Sequence, residues 1–237
     1  MFRLSGLFPG LLLVWLACAP CAVHAGPIVF LQGNDNTLDS SGNGNDGAWV
    51  GTAAYTPGVV GDAFELNGLS YVNVSAAAGL SIPGNEIITL SAYVDPAAIS
   101  ETGRIIDRIP VGTGNGYLLD FQGGHLRAIV GSTVLVGNNV IPVGVFTLVT
   151  AVFNGTLATS TLSLYENGVL DVTASSGAWV DNSALPLRIG ADQNGGNRFS
   201  GAIDQVSITA TPEPATLSLM GIGLAALLIS VYRRRAA

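Results

Sequence analysis

The chain has 237 residues, of which 31 are glycine, and this length suits one large β domain better than a helical one. All nine cations are arginine, and residues 26–210 carry fifteen acidic residues against five arginines, a net charge of −10. This balance argues against nucleic acid as a partner, because a polyanionic duplex is bound by clustered cations.

The first 25 residues have the layout of a secretory signal peptide. Arg3 precedes an apolar run at 7–17, and small residues stand where a signal peptidase reads them, up to Ala25. We therefore expect cleavage after Ala25. This cleavage removes Cys18 and Cys21, so the mature protein would have no thiols. Lipid attachment at one of these cysteines is the alternative, but the residues that flank them disfavour it.

The central part of the chain, 27–209, alternates apolar and polar residues with a period of two. Turn residues interrupt this pattern at roughly the 8–12-residue spacing that is typical of an all-β sandwich or barrel. The pattern predicts a half-buried strand at 88–94 and a central strand at 145–153. The dipeptide at 167–168, Asn-Gly, predicts a tight hairpin turn with a return strand at 169–173.

The last predicted strand, 202–209, contains one carboxylate. If the period of two holds throughout this strand, Asp204 shares a face with Val206 and Ile208. With these two residues in the core, the carboxylate would point inward. A carboxylate in that position needs a cation or several hydrogen-bond donors, because its burial is otherwise costly.

The final segment, 211–237, has three parts in order. A Pro-Glu-Pro motif is followed by 18 uncharged residues at 215–232 and then by an arginine cluster. The residues of the motif and the cluster are Pro212, Glu213, Pro214, Arg233, Arg234 and Arg235. As a helix, the uncharged stretch would span about 27 Å, close to the hydrocarbon thickness of a membrane. We expect a transmembrane helix at 215–232, with the arginines cytoplasmic and the domain outside.

This order of parts resembles the PEP-CTERM sorting signal of Gram-negative bacteria. The resemblance implies recognition of the Pro-Glu-Pro motif by an exosortase-type processing enzyme. It also implies export, anchoring in the inner membrane, and transfer to the cell surface or the extracellular matrix, often among polysaccharide polymers. The alternative is an ordinary single-pass membrane anchor.

The central part resembles the laminin-G-like, concanavalin A-like jelly rolls of bacterial secreted proteins. The segments that carry the resemblance, in order, are 39–47, 57–64, 88–93, 164–168 and 187–206. The resemblance implies an all-β fold, in which two antiparallel sheets form a jelly-roll sandwich, for one domain at 26–210.

The same resemblance implies a structural calcium ion at a sheet edge. Its ligands would be Asp204 of the last strand together with Asp39, Asn43 and Asn45 of the early glycine-rich loop. Carboxylate, amide and carbonyl oxygens are the ligands that calcium prefers. The alternative is that Asn, Asp and Gly of the loop form a solvated turn and that Asp204 accepts backbone N–H groups.

The residues do not support catalysis. Glycoside hydrolases need two carboxylates that flank the scissile bond, but the glutamates of the domain are scattered singly. No HExxH motif or serine nucleophile signature occurs. We expect Arg104, Arg108 and Asp107 to form only a solvated ion pair. The sequence therefore predicts a protein that is not an enzyme.

Two function classes remain. The first is a structural or adhesive module of the surface or of a biofilm-type matrix. The second is a carbohydrate-binding, lectin-like module that uses loops at 112–117 and 192–199, with Tyr117, Arg198 and Phe199 as ligand-binding residues. A glycoside hydrolase is the third and least supported class.

Overall fold

The computed structural model describes residues 26–82, 84–98, 102–110, 114–179 and 184–211. The predicted signal peptide with its cleavage site at Ala25 lies outside the described residues. So do the Pro-Glu-Pro motif, the predicted transmembrane helix at 215–232 and the arginine cluster. Within the described ranges, no helix has the length and hydropathy that a membrane crossing requires.

The described residues form strands and one short 3-10 helix at Ala78–Leu80. In chain order the strands are β1 (Pro27–Leu31), β2 (Gly47–Val50), β3 (Tyr55–Pro57), β4 (Asp62–Asn67), β5 (Tyr71–Val74), β6 (Ile87–Pro96), β7 (Thr102–Arg108), β8 (Tyr117–Gln122), β9 (His125–Val130), β10 (Thr133–Val140), β11 (Thr147–Asn154), β12 (Thr161–Glu166), β13 (Val169–Ser175), β14 (Leu187–Ile189) and β15 (Ser200–Thr211).

The strands form two antiparallel sheets. The eight-stranded sheet has the order β13-β12-β11-β6-β15-β4-β3, and β1 pairs with the second half of β15. The seven-stranded sheet has the order β10-β9-β8-β7-β14-β5-β2. One apolar cluster draws side chains from both sheets. The predicted all-β, two-sheet antiparallel sandwich is therefore confirmed.

The alternating pattern places the core residues as predicted. In β6, Ile88, Leu90, Ala92 and Val94 are buried, and the residues between them are partly exposed. The predicted strand at 145–153 is β11, which lies between β6 and β12 inside the sheet. Each strand therefore gives one apolar face to the core, where burial of apolar surface stabilises the sandwich.

The predicted hairpin joins β12 to β13 through Asn167 and Gly168. Both residues have positive φ, 50° and 77°, as a tight two-residue turn requires. The side-chain oxygen of Asn167 also accepts the backbone N–H of Leu148, at 3.0 Å. The return strand extends to Ser175, two residues beyond the prediction.

A β-bulge in β15 changes which residues share a face. Gln205 has a φ of 51°, and the pairing with β6 shifts between Asp204 and Ser207. Ile203 and Val206 therefore both lie in the core, whereas Asp204 is paired with Tyr93 on the opposite face. The prediction that Asp204 shares the face of Val206 was wrong, because the bulge interrupts the period of two.

Candidate functional site

A cleft of about 420 Å³ opens on the face of the seven-stranded sheet that points away from the core. A row of residues in register forms part of its floor: Val134 of β10, Ile129 of β9, Leu118 of β8 and Asp107 of β7. The floor is aliphatic at one end and charged at the other. The cleft can therefore contact both apolar and polar parts of one ligand.

The next row across the sheet is an ion network. The fully buried carboxylate of Asp120 contacts the guanidinium of Arg104 and accepts two hydrogen bonds from Arg127, at 2.8 and 2.6 Å. Burial raises the pKa of Asp120. The two guanidinium groups around the carboxylate offset part of this effect. The network fixes Arg104 at the edge of the cleft.

Asp107 lies at the charged end of the floor and is only 1% exposed. Its Oδ1 accepts a hydrogen bond from Nε2 of Gln193 at 2.9 Å. Its Oδ2 lies 3.0 Å from Nε of Arg104, but this pair lacks hydrogen-bond geometry. Burial raises the pKa of Asp107 to about 6, although Gln193 and Arg104 offset part of this effect.

The loop that follows β14 forms one wall of the cleft and is held together by Asp192. This carboxylate accepts the backbone N–H groups of Asn194 and Gly196, at 2.9 and 2.7 Å, and the side-chain amide of Asn197 at 2.7 Å. Burial raises the pKa of Asp192, but these hydrogen bonds together outweigh it and hold the pKa below its usual value. Asp192 is therefore committed to the loop.

Both loops that the sequence indicated for ligand binding reach the cleft. Gly114 lines it from the first loop, and Asp192 and Asn197 line it from the second. The side chains singled out in those loops lie elsewhere. Tyr117 and Phe199 are fully buried in the core, so their rings do not line the cleft.

The two rings and Arg198 instead hold the loops in place. Tyr117 packs edge-on against Trp179, with the ring centroids 6.1 Å apart. Arg198 contacts the carbonyl of Leu69, donates from Nε to the carbonyl of Gly195 at 2.7 Å, and lies 5.6 Å from the ring centroid of Tyr71. Their positions support the walls of the cleft.

The expectation of a solvated ion pair was wrong for the residues of β7. Arg104 does pair with Asp107, but Asp107 and Arg108 are both buried. Asp120 and Arg127 were not predicted from the sequence as part of this site. Pairing the strands that flank the Gly-Gly turn of the β8–β9 hairpin would have placed these two opposite each other.

The predicted calcium ligands of the glycine-rich loop are occupied by protein donors. The carboxylate of Asp39 accepts the backbone N–H groups of Phe30, Ser41 and Asn45, each at 2.9 Å, and the Ser41 hydroxyl at 2.8 Å. Burial raises the pKa of Asp39, but these bonds outweigh it and lower the pKa overall. The amides of Asn43 and Asn45 donate to backbone carbonyls of β1.

The fourth predicted ligand, Asp204, lies in β15 and contacts another loop, the turn between β3 and β4. It is fully buried, and its Oδ2 accepts the backbone N–H groups of Val59 at 2.8 Å and Val60 at 3.1 Å. Among the described residues, no hydrogen bond joins Asp204 to the Asp39 loop, and no group of three acidic, histidine or cysteine side chains suited to a metal ion occurs. As placed, the four residues do not form one ligand set, and calcium binding stays a prediction.

Two family models match the chain. The model of the concanavalin A-like lectin/glucanases superfamily matches residues 66–212. The model of the PEP-CTERM protein-sorting motif matches residues 210–235. A search of curated proteins found no match.

Solved structures share the fold. Domain 4 of the arabinanase AbnA from Geobacillus stearothermophilus, in complex with arabinotriose, is 20% identical with a TM-score of 0.60, over 78% of this chain and 94% of that one. The binding domain of Paraclostridial Mosquitocidal Protein 1 is 15% identical with a TM-score of 0.64, over 83% of this chain and 52% of that one. Botulinum neurotoxin type C, which enters cells by interaction with two ganglioside molecules, is 16% identical with a TM-score of 0.60, over 82% of this chain and 50% of that one. The chain thus spans about half the length of these two toxin structures.

Proposed function

The chain belongs to the concanavalin A-like lectin/glucanases superfamily, and we propose that it is a non-catalytic adhesive module, sorted to the cell surface or the extracellular matrix. One observation carries this proposal: the match to the sorting motif begins at residue 210, within β15, the last strand of the sandwich. β15 is 12 residues long and pairs with β6, β4 and β1. A tail attached to this strand would transmit load into the middle of the sheet, which suits an anchored module.

Replacing the Pro-Glu-Pro motif by three alanines tests the sorting step. The matched control exchanges Ser200, an exposed residue at the other end of β15, for alanine. In the native host we expect the motif variant to accumulate in the membrane fraction and the control to reach the surface. Equal surface signals from the two variants would contradict the proposal.

The carboxylates of the cleft support a role without catalysis. A glycoside hydrolase needs an acid and a second carboxylate that both face the substrate. Asp192 is committed to its loop and Asp120 to two arginines, which leaves Asp107 without a partner carboxylate in the part of the chain that the structure describes. We expect no release of reducing sugar from β-glucans or arabinans. Turnover that is lost in Asp107→Asn would overturn this inference.

Carbohydrate binding in the cleft is the second candidate function. Its support is the cleft itself, which lies between the two predicted loops and combines an aliphatic floor with polar walls. Extracellular polysaccharide is the partner that this role implies. Two solved structures that share the fold are compatible with it: the AbnA domain in complex with arabinotriose, and botulinum neurotoxin type C, whose cell entry depends on gangliosides.

Ile129→Arg tests this candidate, because the new side chain would fill the cleft. Thr150→Arg is the matched control, since Thr150 lies on the partly exposed face of the other sheet. On a glycan array we expect the unmodified chain and Thr150→Arg to bind the same glycans, and Ile129→Arg to lose them. A blank array for all three, with normal surface localisation, would favour the purely adhesive role.

A further inference from the structure

The charged end of the cleft holds a carboxyl group away from water. Asp107 is 1% exposed, and its Oδ2 accepts no hydrogen bond from the described residues. The nearest cation, Arg104, is shared with Asp120 and so offers only part of its charge. An ionised carboxylate in this position loses hydration that its partners do not fully replace.

One side chain closes the wall of the cleft over this group. Nε2 of Gln193 donates to Oδ1 of Asp107 at 2.9 Å, to the carbonyl of Asp107 at 3.1 Å and to the carbonyl of Pro186 at 3.2 Å. Gln193 sits in the same loop as Asp192, the carboxylate that holds the wall together. Moving Gln193 away from Asp107 would therefore let water reach this carboxyl group.

We propose that ionisation of Asp107 opens the cleft, by favouring a state in which Gln193 and the adjoining turn at 192–196 have moved and water reaches the carboxylate. Protonation favours the closed state, in which the uncharged carboxyl group stays buried. This inference rests on the proposed function, because it assigns a pH-dependent regulation to the same cleft. The module would be closed in acid and open at neutral pH.

The direction of this pH dependence follows from the linkage between ionisation of Asp107 and opening of the cleft. Burial raises the pKa of Asp107 from 3.8 to about 6 in the closed state, and hydration in the open state restores the ordinary value. The charged groups around Asp107 are Arg104 with its partner Asp120, Arg188 in register on β14, and Asp192 in the wall, of which Arg104 and Asp192 shift its pKa.

These neighbours do not reverse the upward shift of the Asp107 pKa in the closed state. The guanidinium of Arg188 donates to the carbonyl of Asp192 at 2.7 Å and lies 5.0 Å from the ring centroid of Tyr71, so it is engaged away from Asp107. The negative charge of Asp192 raises the pKa of Asp107 further. Burial and Asp192 therefore act together against the ionised form in the closed state.

Hydrogen–deuterium exchange of the full chain, read by mass spectrometry, measures the opening without a ligand. The wall peptide at 190–199 reports the movement, and the β11 peptide at 147–154 is the internal control. Exchange rates are corrected for the known pH dependence of free amides. From the two pKa values of Asp107, 3.8 and about 6, opening of the wall peptide should increase about tenfold between pH 5 and pH 7.5.

Two variants decide the outcome. In Asp107→Asn we expect the wall peptide to show no pH dependence of opening, and the β11 peptide to stay unchanged. Gln193→Ala should open the wall at pH 5 as well, because it removes the closing side chain. A tenfold change that persists in Asp107→Asn, or a wall that opens equally at both pH values in the unmodified chain, would overturn the inference. Neither result bears on surface sorting, which the motif variant tests separately.

Discussion

Replacing Asp204 by alanine removes the side chain that closes the turn between β3 and β4 onto β15. The carboxylate is fully buried, and one of its oxygens accepts the N–H groups of Val59 and Val60. Gly58 leaves the space for this contact, since a Cβ at that position would lie 2.6 Å from Oδ2 of Asp204. The turn and the last strand are therefore joined by two hydrogen bonds to one carboxylate.

The size of the effect follows from these bonds. A hydrogen bond to a charged group contributes about 1.5–3 kcal/mol, so the loss of two such bonds in Asp204→Ala should lower the free energy of unfolding by about 3–6 kcal/mol. Asp204→Asn should cost only about 1 kcal/mol, because the amide oxygen can still accept both N–H groups. Glu65→Ala, on the adjacent strand and exposed, should change stability by less than about 0.5 kcal/mol.

Urea unfolding, followed by tryptophan fluorescence, measures all three variants. Trp49 is a suitable reporter because its ring contacts Tyr55 of β3 and Phe64 of β4. The titrations are repeated with calcium and with a chelator. Two results together would refute the hydrogen-bond account and favour calcium at Asp204. In calcium, Asp204→Asn would be as unstable as Asp204→Ala, and the unmodified chain would lose stability when the chelator is added.

Three further predictions follow from the same contacts. Relative to the unmodified chain, Asp107→Asn should gain about 2–2.5 kcal/mol of unfolding free energy as the pH rises from 4 to 7, because a folded-state pKa of about 6 against 3.8 means that ionisation destabilises the fold across this window. Urea titration at several pH values measures this gain, and a difference that stays constant with pH would contradict it. Gly58→Ala should cost about 1–3 kcal/mol, whereas Gly79→Ala, where a Cβ meets nothing within 4 Å, should leave the melting temperature nearly unchanged. Phe153→Ala should cost about 3–5 kcal/mol in the same melts, because the ring is fully buried against Trp179, and a loss below 1 kcal/mol would contradict the core assignment.

The fold was largely predictable because local patterns and long-range packing agree in most strands. The alternation at 88–94 and the Asn167-Gly168 turn can each be predicted from neighbouring residues alone, and both are found as predicted. The bulge at Gln205 was not predictable in the same way. Glutamine is not a residue that favours positive φ, so its conformation is imposed by the pairing of β15 with both β6 and β4.

The candidate site was predictable in its loops but not in its side chains. Tyr117 shares one face of β8 with Leu119 and Phe121, so its burial could have been inferred from the alternation. The burial of Asp107 could not, because it depends on Gln193, which is 86 residues away in the sequence. Contacts over such separations are set by the register of the sheets, which a single sequence does not show.

The mature ends of the protein test the central claim most directly. Surface and extracellular fractions of the native host would be analysed by mass spectrometry of terminal peptides. The account predicts a chain that begins at Gly26 and has lost the arginine cluster at 233–235 through processing at the sorting motif. A surface chain that ends at Ala237, or an intact precursor that is soluble in the cytosol, would contradict it.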